Sequence, residues 1–171
     1  MRGSVTRAQA TTDWLVVDSL APATAGALEP MYDAAAAGRL QMPFCASCRI
    51  ALELEQLVCD RCGSGGPQWQ EVEPRGTVHA VTTVHRHEPS LIRAREPYSI
   101  LDVELESGHR IIMTTTAPAG GYAVGDAVAV TFRTVGDVAI PAVSATPPVW
   151  AHDLPVQPGD DSAESTTKEH R

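Results

Sequence analysis

Four cysteines are the residues whose type and spacing point most directly to chemistry. All the cysteines of this 171-residue chain fall into two C-x-x-C pairs that are separated by ten residues. A two-residue spacing lets one tight turn direct two thiolates at one ion, and the ten-residue excursion allows a hairpin to return with the second pair. Four thiolates in a tetrahedron suit Zn²⁺ and leave no open coordination position. The sequence therefore predicts a structural zinc site formed by Cys45, Cys48, Cys59 and Cys62.

Other chemistry is open to the same cysteines: two disulfides, four unrelated thiols, an iron centre or a reactive thiol pair. The first residues lack the continuous apolar stretch of a secretory signal, so we expect a cytoplasmic protein, in which disulfides are uncommon. Rubredoxin-like iron sites usually occur in stand-alone folds, although the choice of metal also depends on availability. A segment of about 35 residues has too little apolar surface to fold alone, and structural zinc contributes roughly 10 to 16 kcal/mol. Zinc is the interpretation that the pattern favours.

The elements that position these cysteines follow from the sequence on either side. From Leu28 to Gly38 the chain places Pro in a first turn, helix formers inside and Gly just past the end, which predicts one short helix. Residues from Leu40 to Phe44 then alternate into the first cysteine pair, as a strand does. Residues 28–70 are thus predicted to form a helix and a rubredoxin-like zinc ribbon.

A small β-barrel is predicted to follow the ribbon. After a Gly-Ser-Gly-Gly-Pro breaker, Trp69 begins the next ordered stretch and is expected to pack between ribbon and barrel. A long link, residues 116–126, lies where a Greek-key barrel of the OB type crosses over. The chain is therefore predicted to be mainly β, with a five-stranded OB-fold barrel over residues 71–146. Five short segments have the composition or alternation of strands, namely residues 76–84, 98–106, 109–115, 127–134 and 138–144.

Both ends of the chain differ in composition from its middle. Residues 1–27 are rich in Ala, Thr and Ser without a sustained period, which predicts a flexible N-terminal arm. Residues 147–171 combine Pro, acidic and Ser/Thr residues, which predicts a disordered acidic tail. No apolar run reaches the roughly 18 to 20 residues of a membrane helix, so no membrane association is predicted.

Short motifs follow one another along the chain in this order: Gly38-Arg39-Leu40, both cysteine pairs, Cys62-Gly63-Ser64, Trp69, Gly76-Thr77-Val78, Val84-His85-Arg86, Pro97-Tyr98, Val103-Glu104-Leu105 and Gly125-Asp126-Ala127-Val128. Their order resembles a family of zinc-ribbon and OB-fold proteins associated with acyl-CoA enzymes. Arg49 is a departure, because the family commonly has Gly after the second cysteine. The resemblance implies an accessory subunit of a thiolase-fold or hydratase-fold enzyme, such as a thiolase, a steroid side-chain aldolase or an acyltransferase. It also implies that the barrel packs on that partner and helps form a path for the CoA thioester, while the partner supplies the reactive residue.

A basic loop between the first two barrel strands is the second candidate site. Its side chains could meet acidic groups of a partner or the phosphates of CoA, and its tyrosine could present a flat surface to an adenine or an interface. A passive solvated loop is the third interpretation. Two histidines inside the strand segments, His79 and His109, are expected to be structural. The candidate contact residues are His85, Arg86, His87, Arg93, Arg95 and Tyr98.

Three functions remain open from the sequence. If all four cysteines bind zinc there is no free thiol, and the chain has neither a G-x-S-x-G elbow nor a P-loop, so a non-catalytic subunit of a larger enzyme is favoured. The alternative is a nucleic-acid-binding OB module. The net charge of −8 and the single aromatic residue within 97–115 argue against it, since single-strand binders stack bases on aromatic side chains. A complete enzyme that uses the zinc catalytically would require an open coordination position.

Overall fold

A computed structural model describes residues 12–86 and 88–146. The predicted flexible residues 1–11, the predicted tail 147–171 and His87 lie outside the described residues. No helix within the described ranges is long and apolar enough to cross a membrane. After a short 3-10 turn at Asp18–Leu20, the elements in chain order are α1 (Glu29–Ala36), β1 (Gln41–Cys45), β2 (Pro67–Glu71), β3 (Arg75–Val84), β4 (Tyr98–Leu105), β5 (Arg110–Met113), β6 (Ala127–Val135) and β7 (Val138–Val143).

The single α-helix has the termini that its sequence predicts. Pro occupies its first turn, where its missing N–H leaves no helical hydrogen bond unmade. At the other end Gly38 has φ of 72°, and the N–H groups of Gly38 and Arg39 bond back to the carbonyls of Ala35 and Ala34. This is the Schellman pattern, in which Gly adopts the left-handed conformation at low steric cost. The helix packs against β1 and β7 through a face formed by Met31, Ala34 and Ala35.

Strands β3 to β7 form one antiparallel sheet in the order β5-β4-β3-β6-β7. An isolated parallel bridge between Thr115 and Val143 joins the region after β5 to β7, so the sheet curls into a nearly closed barrel. Strand β6 returns to pair with β3 after the 116–126 link. The predicted five-stranded OB fold is confirmed, including the crossover. These strands are predictable because alternation and turn residues specify them locally.

The barrel interior is filled by the inward-facing residues of its strands. Along β4, Leu101, Val103 and Leu105 are buried as the alternation predicts. Leu40 and Met42 also belong to this core although they lie in the ribbon segment. The ribbon is therefore joined to the barrel by shared apolar packing. The core consists of Leu40, Met42, Val78, Leu101, Val103, Leu105, Ile111, Met113, Val128, Val130 and Val143.

Gly76 lies at a crowded point of the barrel wall. It lies in β3 opposite Leu105 of β4 and Val128 of β6, so strands approach it from both sides. A Cβ atom at this position would lie 2.4 Å from the carbonyl oxygen of Glu104 and 2.8 Å from a methyl group of Val103. Glycine is required here because the neighbouring backbone leaves no room for a side chain.

Residues 13–20 differ from the flexible arm predicted for residues 1–27. Leu15 is buried, and Val16 forms an antiparallel bridge with Ile92 of the loop between β3 and β4. The carboxylate of Asp13 pairs with Arg133 of β6 at 2.5 Å. Long-range contacts therefore hold a segment whose own sequence shows no strand or helix period.

Candidate functional site

The four cysteines converge at the tip of the ribbon, beyond the β1–β2 hairpin. Their sulfur atoms all lie within 4.8 Å of one another, with Cys45 and Cys62 at 3.5 Å and Cys48 and Cys59 at 3.6 Å. Four sulfurs at about 2.3 Å from a tetrahedral Zn²⁺ are about 3.8 Å apart. The cluster thus has the ligand type, number and spacing to hold a metal ion. Within the described ranges no other group of three or more His, Cys, Asp or Glu side chains has this property.

Two similar turns form the cluster. In the first, the N–H of Arg49 bonds to the carbonyl of Cys45 at 3.0 Å; in the second, the N–H of Gly63 bonds to the carbonyl of Cys59 at 2.8 Å. Arg49 has φ of 60° and Gly63 has φ of 71°, so both turns place a left-handed residue directly after the second cysteine. Arg49 is the one non-glycine residue with positive φ in the described part of the chain. The departure from the family pattern therefore leaves the turn intact, at the cost of backbone strain.

Hydrogen bonds favour the thiolate form at two of the four cysteines. The backbone N–H of Cys48, followed by the hydroxyl of Ser64, lowers the pKa of Cys45 to about 5. The same hydroxyl lies 3.2 Å from the sulfur of Cys62 and lowers its pKa. Burial instead raises the pKa of Cys48 to about 12. A bound cation would reverse that effect, because a coordinating thiol is deprotonated outright.

His109 connects the ribbon to the barrel just before β5. Its Nε2 lies 2.8 Å from the carbonyl oxygen of Pro43, and its Nδ1 lies 2.9 Å from the hydroxyl of Ser107. Because a carbonyl only accepts, Nε2 carries the proton and Nδ1 accepts from the serine. Burial lowers the pKa of His109, partly offset by the Pro43 carbonyl, so the neutral ring is favoured. The ring also packs edge-on against Phe44, which precedes Cys45 in the sequence.

The structure divides the residues of the predicted basic loop into those that contact residues 13–18 and those that do not. His85, Arg86 and Arg95 are exposed, and Arg86 forms an ion pair with Glu88. Arg93 is also exposed, but its side chain bonds to the carbonyl of Asp13 and pairs with Asp18. Tyr98 is buried, with its ring edge-on to Trp14. His87 lies outside the described residues.

The other predicted structural residues lie on the strands. His79 is in β3 at a register shift between Val78 and Ala80, and its ring is 3.7 Å from the carboxylate of Glu104. Trp69 is half-buried in β2 opposite Pro43.

A groove of about 550 Å³ lies beside the C-terminal part of this loop, residues 93–97. One wall is Trp14, whose indole N–H donates to the carbonyl of Thr115 at 2.9 Å. The start of β4 and the loop residues Arg95 and Glu96 form another side, and residues 118–121 form the third. The groove therefore combines a cationic side chain with apolar and aromatic surface.

Trp14 lines this groove, and the Asp13–Arg133 pair anchors the segment that carries it. None of these three residues is among those that the sequence predicts to be functional. Asp13 and Arg133 are 120 positions apart, and neither belongs to a recognisable motif. The one local signal is the Asp side chain itself, which accepts hydrogen bonds from the N–H groups of Leu15 and Val16 as an Asx turn does.

The arrangement defines a class of protein: an OB-fold barrel with an attached four-cysteine ribbon. Residues 69–133 match the family model described as ChsH2, C-terminal OB-fold domain. This part of the barrel is therefore similar to the OB-fold domain of ChsH2, which supports the predicted family resemblance.

The fold is shared by a solved structure named "Ltp2-ChsH2(DUF35) aldolase", which superposes with a TM-score of 0.63 at 23% identity, covering 72% of this chain and 98% of that chain. A DUF35-family protein of unknown function from Sulfolobus solfataricus superposes with a TM-score of 0.49 at 12% identity, covering 70% of this chain and 85% of that one. The comparison with curated proteins gives no match.

Proposed function

We propose that this chain is a non-catalytic accessory subunit that binds a thiolase-like enzyme and helps form its acyl-CoA path. The observation that carries the proposal is the match of the barrel to the ChsH2 OB-fold domain. A solved structure of the same fold is named as an aldolase of Ltp2 and ChsH2 together. The partner is a thiolase-fold or hydratase-fold enzyme of lipid or steroid degradation or of polyketide-type acyl transfer, and the complex is cytoplasmic.

The cysteine cluster supports a structural role for the metal. All four thiols of the chain lie in one cluster, so four protein ligands would fill a tetrahedral shell and leave no position for substrate. The ion is zinc, which thiolate ligands and tetrahedral spacing favour. Its role is to stabilise the fold of the ribbon tip, because the apolar cluster there contains few large side chains.

The exposed part of the basic loop is the surface proposed to meet the partner or CoA. His85, Arg86 and Arg95 are predicted contact residues that are exposed and make no contact with residues 13–18 in the described structure. Arg95 lines the groove, where its guanidinium would favour a phosphate or carboxylate. Arg93 and Tyr98 support this surface and do not contact the partner directly, because residues 13–18 already engage their polar or aromatic groups.

Co-expression with a thiolase-fold enzyme encoded beside this chain tests the proposal. We expect the enzyme to co-elute with this chain and to gain solubility or activity in its presence. The Cys59→Ser variant should abolish that gain, because the ribbon loses a metal ligand. His79→Ala is the matched control, since His79 is half-exposed on the barrel and far in sequence from the cysteines. An enzyme that is equally soluble and fully active alone, without co-elution, would contradict the accessory role.

The nucleic-acid alternative gains no support from the described residues. Tyr98 is the one aromatic residue within 97–115, and its ring is buried against Trp14 and is thus unavailable for stacking on a base. The exposed positions of β4 include Glu104, which would repel a phosphate backbone.

A further inference from the structure

We infer that residues 13–18, here called the strap, position the basic loop and complete the groove, with Asp13 as the positioning residue. This deepens the proposed function, because the loop is the surface proposed to meet the partner. The strap is not part of the predicted ribbon or barrel, yet it contacts β6, the β3–β4 loop and the groove. Each of these contacts is made by a different group of the segment.

The first step is the anchoring of the strap on the barrel. One carboxylate oxygen of Asp13 accepts from the N–H groups of Leu15 and Val16 at 3.0 and 2.7 Å. The other pairs with Arg133 at 2.5 Å, and the two side chains are only 1% and 11% exposed. Removal of one member of such a pair is strongly destabilising because it leaves the other charge desolvated and unpaired. Asp13 therefore fixes both the turn of the strap and its position on β6.

The second step is the pairing of the strap with the loop. The N–H of Arg93 donates to the carbonyl of Leu15 at 2.7 Å, and the N–H of Val17 donates to the carbonyl of Leu91 at 3.0 Å. The side chain of Arg93 adds bonds to the Asp13 carbonyl and the Asp18 carboxylate at 3.2 and 3.3 Å. The loop is thus held by a two-stranded pairing in which it supplies one strand and the strap supplies the other.

The third step is the groove wall. Trp14 follows Asp13 directly, bonds to the carbonyl of Thr115 and packs edge-on against Tyr98, with ring centroids 6.5 Å apart. Removal of the strap would therefore take away the aromatic wall of the groove and the backbone partners of the loop together. The position of Arg95, two residues beyond the paired Arg93, depends on the same contacts.

Amide hydrogen exchange followed residue by residue in the full chain tests the inference. In Asp13→Ala we expect the amides of Arg93 and Val17 to exchange about 100-fold faster, the scale of a lost buried ion pair. The amides of Val78 and Leu105, which bond within the barrel, should change much less. Glu71→Ala is the matched control, because its ion pair with Arg39 is exposed on the ribbon.

Two further variants keep the test decisive. Asp13→Asn retains an acceptor for the turn and should recover part of the protection, and Asp13→Ala/Arg133→Met removes the unpaired guanidinium but should still release the loop. The inference would be overturned if amide exchange in both variants became faster by the same factor at Val78, Leu105, Arg93 and Val17. Such a result would indicate a general loss of stability.

Partner binding gives a second readout. Asp13 and Arg95 should be coupled in a double-mutant cycle, with Arg95→Ala weakening binding less in the Asp13→Ala background than in the native one. Additive effects would overturn the positioning role. If no partner binds at all, the proposed function fails while the exchange result still decides the role of the strap.

Discussion

The ribbon tip and the barrel solve the same problem of stability by different means. The tip has an apolar cluster made of Cys45, Leu52 and Cys59, with Cys48 and Ile50 at its edge. The barrel has one continuous apolar core, formed by buried residues from the β1 region and from strands β3 to β7. We therefore propose that the tip depends on metal–thiolate bonds, whereas the barrel depends on apolar burial and close strand packing.

The comparison also shows where each region tolerates change. A metal site fails when one ligand is lost, because the ion then lacks a complete shell. A barrel core tolerates many substitutions of similar volume but fails where its backbone is crowded. Loss of a metal ligand should therefore unfold the tip, whereas crowding in the barrel should lower its stability.

The largest effect is expected at the ribbon tip from Cys59→Ser or from removal of the metal by a chelator. Structural zinc contributes roughly 10 to 16 kcal/mol to the folding of small domains, so the tip should unfold. The amides of Cys59 and Gly63, which bond to Ser64 and Cys59 carbonyls, should lose protection from exchange while that of Val130 keeps it. Stoichiometric loss of metal with an unchanged tip would contradict the expected dependence.

The second effect is expected in the barrel from Gly76→Ala. The added methyl would meet the Glu104 carbonyl at 2.4 Å, so strands β3 and β4 must separate. We expect a loss of about 3 kcal/mol in the free energy of unfolding, measured by urea denaturation. The metal content of the folded fraction should stay the same. Gly120→Ala is the control, because a Cβ atom there meets nothing within 4 Å.

The third prediction concerns the joint between the two regions. The folded state holds the pKa of His109 below its usual value of about 6.5, so below that pH the unfolded chain binds the extra proton first. Stability should therefore fall as the pH drops below about 6.5, by at most about 1.4 kcal/mol per pH unit. His109→Gln should flatten this slope between pH 6.5 and 5.5 in denaturation curves taken with metal content monitored. An unchanged slope in the variant would assign the pH dependence to another group.

The smallest effect is expected from Arg49→Gly. A non-glycine residue in the left-handed region costs about 1 to 2 kcal/mol, part of which is offset by the greater freedom of glycine in the unfolded chain. We expect a gain of about 0.5 to 1 kcal/mol in the stability of the ribbon, seen as slower metal transfer to a competing chelator. Gly63→Ala should act in the opposite direction, because it introduces the same strain in the second turn.

Much of the fold and the metal cluster is predictable because it is encoded locally. The two C-x-x-C pairs bring their own turns, and the alternation of Leu101, Val103 and Leu105 specifies an inward face without reference to the rest of the chain. The helix ends at Gly38 for a local reason as well. In each case the residues that interact are close in sequence or repeat with a fixed period.

The strap and the division of the basic loop are not predictable in this way. Asp13 forms its buried ion pair only because β6 brings Arg133 next to it, although the two residues are 120 positions apart in the sequence. Arg93 and Tyr98 have the composition of contact residues, but the strap engages both of them. Contacts between residues so far apart in sequence produce no periodic pattern that a single sequence could reveal.

The burial of Leu40 and Met42 inside the barrel limits how the chain can be divided. A fragment that starts at the predicted boundary, residue 71, would lack two side chains that fill its interior and would expose the apolar surface that they cover. Grafting the ribbon onto another scaffold would likewise present Leu40 and Met42 to water. Any exchange of modules between related proteins must therefore be made upstream of Leu40, so that the first ribbon strand travels with the barrel it completes.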